Sequence, residues 1–392
     1  MIRELERVAV SLVGFLRNSP LFGIRSWKMS RFPAIRLKIG RELLPGLDVS
    51  GTGGSPGRTQ RLEALPGNIA PFKDVMFLPP PLFDPPPRGV ETFKSARIVG
   101  RNAIALTSSG KIIQEALFRT SGRNDLALSY LRLDEVSGLR KHHSATNNFL
   151  DGKVCLLTSF WDSFGHWIPE HLLKIKLLRD AGEDTSSIRF LIRDPVEEFK
   201  IFLLKAAGIE ERQIIPWRGQ LTSVEELIVP AYPQISEENL AWVSSLVPPP
   251  LRGFEKAGQS ILYLSRQKQP YRRIINEDIV QEVLQAFGAV TLYPEDYPFE
   301  EQVAFVRSAN LLFGPQGSAF TLQIFMQPGT LVEAFPRDRV HLFNRQVAGV
   351  MGHKHFPLMD SRGPQAKGFQ DKTVMVDPTL LREVFSWTVS DF

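Results

Sequence analysis

Beyond residue 92 the chain alternates short apolar runs with amphipathic stretches. Residues 153–158, 189–193, 214–217 and 227–232 read as buried strands. Residues 168–180, 196–207 and 237–246 carry apolar positions three and four apart, the spacing of helices. Gly182 and Gly208 stand just past two of those helices, where a left-handed residue ends the turn. The rhythm resumes with strands 261–264, 290–293, 311–313 and 331–335, and with helices 277–287, 299–309 and 319–326. Asn276 is placed to cap the first of these helices and Gly288 to end it. Strands alternating with helices of this length predict parallel sheets with right-handed crossovers. The expected fold is α/β: two Rossmann-like domains facing a cleft, preceded by a helical and irregular arm.

The expected divisions are an arm over 1–63, a first Rossmann-like domain over 64–247, a linker over 248–259 and a second such domain over 260–392. The C-terminal helix of the second is free to return to the first. In the arm, Ile2, Leu5, Ala9, Leu12 and Leu16 form an apolar stripe beside Arg3, Arg7 and Arg17. Such a helix lies on an anionic membrane surface or packs on protein, its own or a partner's. Residues 45–60 read as a glycine- and serine-rich loop. The proline-rich 79–87 reads as a stiff connector, because proline lacks an amide proton.

Charge refines this division. The chain has 392 residues and a net charge of +5, but 11 basic side chains face 5 acidic ones within residues 1–63, so the folded body is near neutral. That balance argues against a nucleic-acid partner. The single cysteine, Cys155, rules out an intrachain disulfide and fits a reducing compartment. The apolar run 8–16 is too short to span a bilayer. The expectation is a cytoplasmic protein without signal peptide, touching the inner membrane face peripherally through residues 1–40.

Ligands of open parallel sheets bind at the carboxyl ends of strands, so the loops there carry the candidate chemistry. Gly314-Pro315-Gln316-Gly317-Ser318 joins a strand to a helix; it reads as an anion site or as a plain tight turn. Arg266 ends the strand YLSR, with Arg272 and Arg273 just beyond, and the three suit a diphosphate, or else a solvated loop paired with Glu277 and Asp278. Glu333 is an acid inside an apolar strand and needs a partner, a sugar hydroxyl or an arginine. Asp162, His166, Glu170 and His171 lie between a strand and its helix. Their spacing exceeds that of a zinc motif and Pro169 interrupts it, so no metal site is expected. His166 reads as a packed helix-start residue or as a base. His353 and His355 lack acidic or cysteine company and read as surface histidines.

Taken together, residues 263–336 resemble the core of glycosyltransferase family 61, the group described as capsular polysaccharide biosynthesis proteins. The shared features are Ser-Arg at a strand end, an arginine four residues before Asn-Glu, Phe299, Glu301 and Gln302 at a helix start, the glycine-flanked loop, Phe-Met-x-Pro-Gly and a strand glutamate. SFGHWIPEHLLKIKLL (163–178) is similar to the family's His-Trp motif. The resemblance implies a GT-B-like fold and an inverting, metal-independent hexosyl- or pentosyltransferase with a nucleotide-sugar co-substrate, UDP-linked, a saccharide acceptor and no other cofactor. The first domain would then hold the acceptor and the second the nucleotide sugar. Arg266, Arg272 and Arg273, with Gln316, Gly317 and Ser318, would bind the donor diphosphate, Glu333 its hydroxyls, and His166 would be the base, with Asp162 or Glu170 in reserve. Gln316 and Gln323 stand where the family has histidine and asparagine. They carry the alternative expectation, a non-catalytic nucleotide- or sugar-binding protein on a decayed scaffold.

Overall fold

The computed structural model describes residues 89–389, apart from 111–112, 114–115, 117–145, 147, 160, 250–260, 337–342 and 363–372. The arm and its amphipathic helix, the 45–60 loop, the 79–87 connector and most of the 248–259 linker lie outside the described residues.

The first sheet has the order β2-β1-β6-β3-β4-β5. Its strands are β1 (Val90–Val99), β2 (Ile104–Leu106), β3 (Phe149–Leu156), β4 (Ile188–Arg193), β5 (Ile214–Trp217) and β6 (Thr222–Pro230). β3 pairs in parallel with β4 and β6, and β4 with β5, as the strand–helix rhythm predicts. β1, however, runs antiparallel to β2 and β6, so this half is mixed and not wholly parallel. The departure arises at a tight turn through Gly100 and Ala103, both at positive φ, which folds β2 back on β1. The sheet curls until its margins meet: Trp217 Nε1 of β5 donates to Gly100 O at 2.7 Å.

Three helices cover it. α1 is a continuous run of Phe164–His166, a π-helical stretch Trp167–Leu172 and Leu173–Asp180. α2 spans Glu198–Ala206 and α3 Glu237–Ser245. Pro169 accounts for the irregular turn of α1, because it has no amide to give to Gly165 O four residues earlier. Thr321 Oγ1 donates to that carbonyl instead, at 3.4 Å.

The second sheet, order β11-β10-β9-β7-β8, is parallel throughout. It comprises β7 (Ile261–Leu264), β8 (Val290–Leu292), β9 (Leu311–Pro315), β10 (Thr330–Phe335) and β11 (Lys354–Met359). α4 (Glu277–Ala286), α5 (Phe299–Arg307), α6 (Phe343–Val350) and α7 (Pro378–Val389) accompany it. The segment expected as a helix over 319–326 is a 3-10 helix, Ser318–Phe325. Asn276 does not cap α4 with its side chain. Its amide pairs instead with the backbone of Val376, donating at 2.7 Å and accepting at 3.1 Å. α7 packs on α4 and buries Leu381 and Phe385 in one cluster with Val283 of α4 and Phe313 of β9. It is therefore not free to cross to the first sheet.

One apolar core joins the halves. Trp167, Ile168 and Leu172 of α1 bury with Leu264, Leu312, Phe320 and Phe325 of the second half. Arg307, ending α5, adds a polar tie by donating to the carbonyls of Ser244, Val247 and Pro248 at the end of α3. Among the described residues no helix is long and apolar enough to cross a membrane.

Candidate active site

Arg266 emerges from the carboxyl end of β7, and its Nε donates to Tyr271 O at 3.3 Å. Its guanidinium lies on the bend that follows β9: a Cβ built on Gly317 would stand 2.6 Å from Arg266 Nη1. Only glycine allows that approach. Arg272 holds a left-handed φ of 59°, a conformation an arginine adopts only when its surroundings enforce it. Burial pushes the Arg266 guanidinium down to about 10, and the neighbouring charge of Arg272 adds to the fall. Burial lowers Arg272 too, while Glu333 opposes the change. Two partly desolvated cations side by side form a site that an anion relieves. Arg273 is exposed; its carbonyl accepts from Val374 N. Ser318 opens the 3-10 helix beside Gly317, and Gln316 is buried with its backbone amide on Ala334 O at 2.8 Å.

Glu333 is fully buried, with both oxygens engaged. Asn344 Nδ2 donates to Oε1 at 2.6 Å and His355 Nε2 meets Oε2 at 2.9 Å. Glu333 thus holds two other polar side chains in place. Asn344 Nδ2 also reaches Gly317 O at 3.5 Å, tying this group to the bend. His353 and His355 are not surface residues. Pairing of β11 with β10 buries the His355 side chain to 5% exposure. His353 Nε2 meets Gln323 O and its Nδ1 accepts from Gly329 N, both at 3.1 Å, while burial pushes its pKa down. Neither end of the buried Gln323 amide has a partner among the described residues.

In the first half, His166 Nδ1 faces Glu170 Oε1 at 3.2 Å, one turn along α1. The imidazole stacks on Trp161, centroids 5.7 Å apart, and sits 5.6 Å from Phe343 of α6. Asp162 is committed elsewhere. Its Oδ2 takes the fully buried Lys200 ammonium at 2.9 Å, with Arg193 Nε at 3.7 Å, and burial raises its pKa against those cations. That ion pair anchors the start of α1 to α2 and β4. His171 is buried, meets Trp161 O at 2.9 Å and is held well below its ordinary pKa by burial. Among the described residues no group of three His, Cys, Asp or Glu side chains could hold a metal ion.

The two halves meet at this point. A Cβ on Gly165 would lie 3.1 Å from Ser318 Cβ and Oγ, so the start of α1 rests on the start of the 3-10 helix. His166 therefore stands beside the bend that holds Arg266. Sequence reasoning missed Phe343, Asn344 and His355. Asn344 has no local signal, whereas the short apolar run after His355 marks an unassigned strand.

The Glycosyltransferase 61 family model matches residues 164–332, from the first residue of α1 into β10. No curated protein matches the chain. The segment that brings His166, Arg266 and the 314–318 bend together belongs to glycosyltransferase family 61.

Proposed function

We propose that the protein is an inverting, metal-independent hexosyl- or pentosyltransferase. It moves a sugar from a nucleotide-sugar donor, UDP-linked, to a saccharide hydroxyl in capsule or exopolysaccharide synthesis, on the cytoplasmic face of a membrane that residues 1–40 contact. The acceptor oxygen attacks the anomeric carbon as the bond to the diphosphate breaks, and the acceptor proton passes to His166. Glu170 at Nδ1 orients the ring so that Nε2 presents the lone pair, and it stabilises the imidazolium that forms. Arg266 and Arg272, with the Gly317 and Ser318 amides, take the charge of the departing diphosphate. Glu170 is thus a positioning residue.

One observation carries the reading: the Arg266 guanidinium packs on Gly317 while Gly165, the residue before His166, packs on Ser318. Base and anion site share one edge. Turnover of a panel of UDP-sugars, with and without EDTA, tests it. Arg266→Ala is expected to lose about 10- to 100-fold in kcat/KM, the equivalent of ~1.5–3 kcal/mol for a charged hydrogen bond. His166→Ala is expected to lose ~100- to 10,000-fold in kcat. Near-wild-type rates in both variants, or loss of turnover on chelation, would overturn the assignment.

A further inference from the structure

Glu333, Asn344 and His355 lie beyond the segment that the family model matches. His355 is the member with an unused group. Its Nε2 is committed to Glu333 at 2.9 Å, and Nδ1 is buried with no partner among the described residues. The carboxylate fixes the tautomer: the ring proton sits on Nε2, so Nδ1 offers a lone pair. A buried acceptor nitrogen is complemented by an N–H or O–H donor.

The position of His355 says which donor. Glu333 joins it to Asn344, and Asn344 joins it to Gly317 O at 3.5 Å, on the bend where Arg266 lies. His355 is therefore linked to the bend of the anion site through two side chains, Glu333 and Asn344. What flanks a diphosphate in a sugar nucleotide, on either side, is a hydroxyl-bearing ring. Resting on the glycosyltransferase reading above, we infer that His355 Nδ1 accepts a hydrogen bond from a hydroxyl of the sugar nucleotide. Glu333 positions that imidazole and does not itself touch the ligand. The hydroxyl comes from the ribose or from the transferred sugar.

Calorimetric titration of the full chain with UDP, 2′-deoxyUDP, 3′-deoxyUDP and a panel of UDP-sugars tests this in wild type and in His355→Gln. Glutamine keeps an N–H for Glu333 and removes the acceptor at the Nδ1 position. The expected result is an unchanged melting temperature, ~3- to 10-fold weaker binding of the ligand bearing the recognised hydroxyl, and no change for the analogue lacking it. A loss confined to UDP against one deoxyUDP identifies a ribose hydroxyl. A loss seen with a UDP-sugar but not with UDP identifies the transferred sugar. Equal binding by variant and wild type, or equal weakening of every ligand, overturns the inference. Failure of wild type to bind any of these compounds overturns the glycosyltransferase reading first, and this one with it. Should His355→Gln not fold, 15N NMR of the wild-type histidines decides: the His355 Nδ1 resonance must move when the ligand is added, and a fixed resonance sinks the idea.

Discussion

At the scale of the residue, the anion site is shaped by the side chain Gly317 lacks. The Arg266 guanidinium occupies the space where a Cβ would project, at 2.6 Å. Gly317 has an extended φ of −175°, which any residue adopts, so its requirement is one of space and not of backbone freedom. Gly317→Ala should therefore fold normally and displace only the guanidinium. The expected outcome is a melting temperature close to wild type with ~10- to 100-fold weaker UDP binding, the equivalent of a charged hydrogen bond lost. Calorimetry beside a thermal melt checks it; tight binding by the alanine variant would mean that Arg266 does not face the ligand.

At the scale of the element, α1 combines the face that carries His166 with a buried one. Lys174, two turns beyond His166, is fully buried, with Nζ 3.4 Å from Leu156 O and 4.8 Å from the Tyr232 ring centroid. Burial pushes its ammonium down to about 8 from 10.5. Between those values the unfolded chain holds a proton that the folded chain does not, so Lys174 makes stability rise with pH from about 8 to 10.5 and costs stability below that window. Lys174→Met should melt higher at pH 7, by up to about 3 kcal/mol, and should lack that rise when unfolding is measured across pH 7.5–10.5. Cys155, whose thiol burial raises to about 12 against the opposing charge of Lys174, is present in both chains, so the comparison reads Lys174 together with its coupling to that thiol. Elements were legible from the sequence where their cause is local. The strands 214–217 and 261–264 match their observed bounds, and Gly182, Gly208 and Gly288 end helices at positive φ. β1, with its charged VETFKSARIV sequence, and β11 exist through pairing with distant strands. His355 and Asn344 were illegible for that reason: their chemistry depends on Glu333, which β10 supplies from elsewhere in the chain.

At the scale of the whole molecule, the two sheets do not merely face one another; they share a core, and catalysis is expected to depend on how closely they are held. The sharpest contact is between Gly165 and Ser318, where an added Cβ would meet Cβ and Oγ at 3.1 Å and Cα at 3.2 Å. Alanine requires the halves to give by a few tenths of an ångström, and valine requires more. His166 is on one side of that contact and the proposed diphosphate site is on the other. Separating them lengthens the path from base to anomeric carbon while touching only Ser318 of the proposed diphosphate site, and a displacement of about 1 Å is worth on the order of 100-fold in rate. UDP binding should survive, because Arg266, Arg272 and Gly317 all belong to one half. The expected pattern is thus a graded fall in kcat, about 10-fold for Gly165→Ala and on the order of 100-fold for Gly165→Val. UDP affinity should stay near wild type in both. Steady-state kinetics with saturating donor, paired with UDP calorimetry, reads the two quantities apart. A valine variant with wild-type kcat would show that the halves meet elsewhere during turnover, and would remove His166 from the role of base.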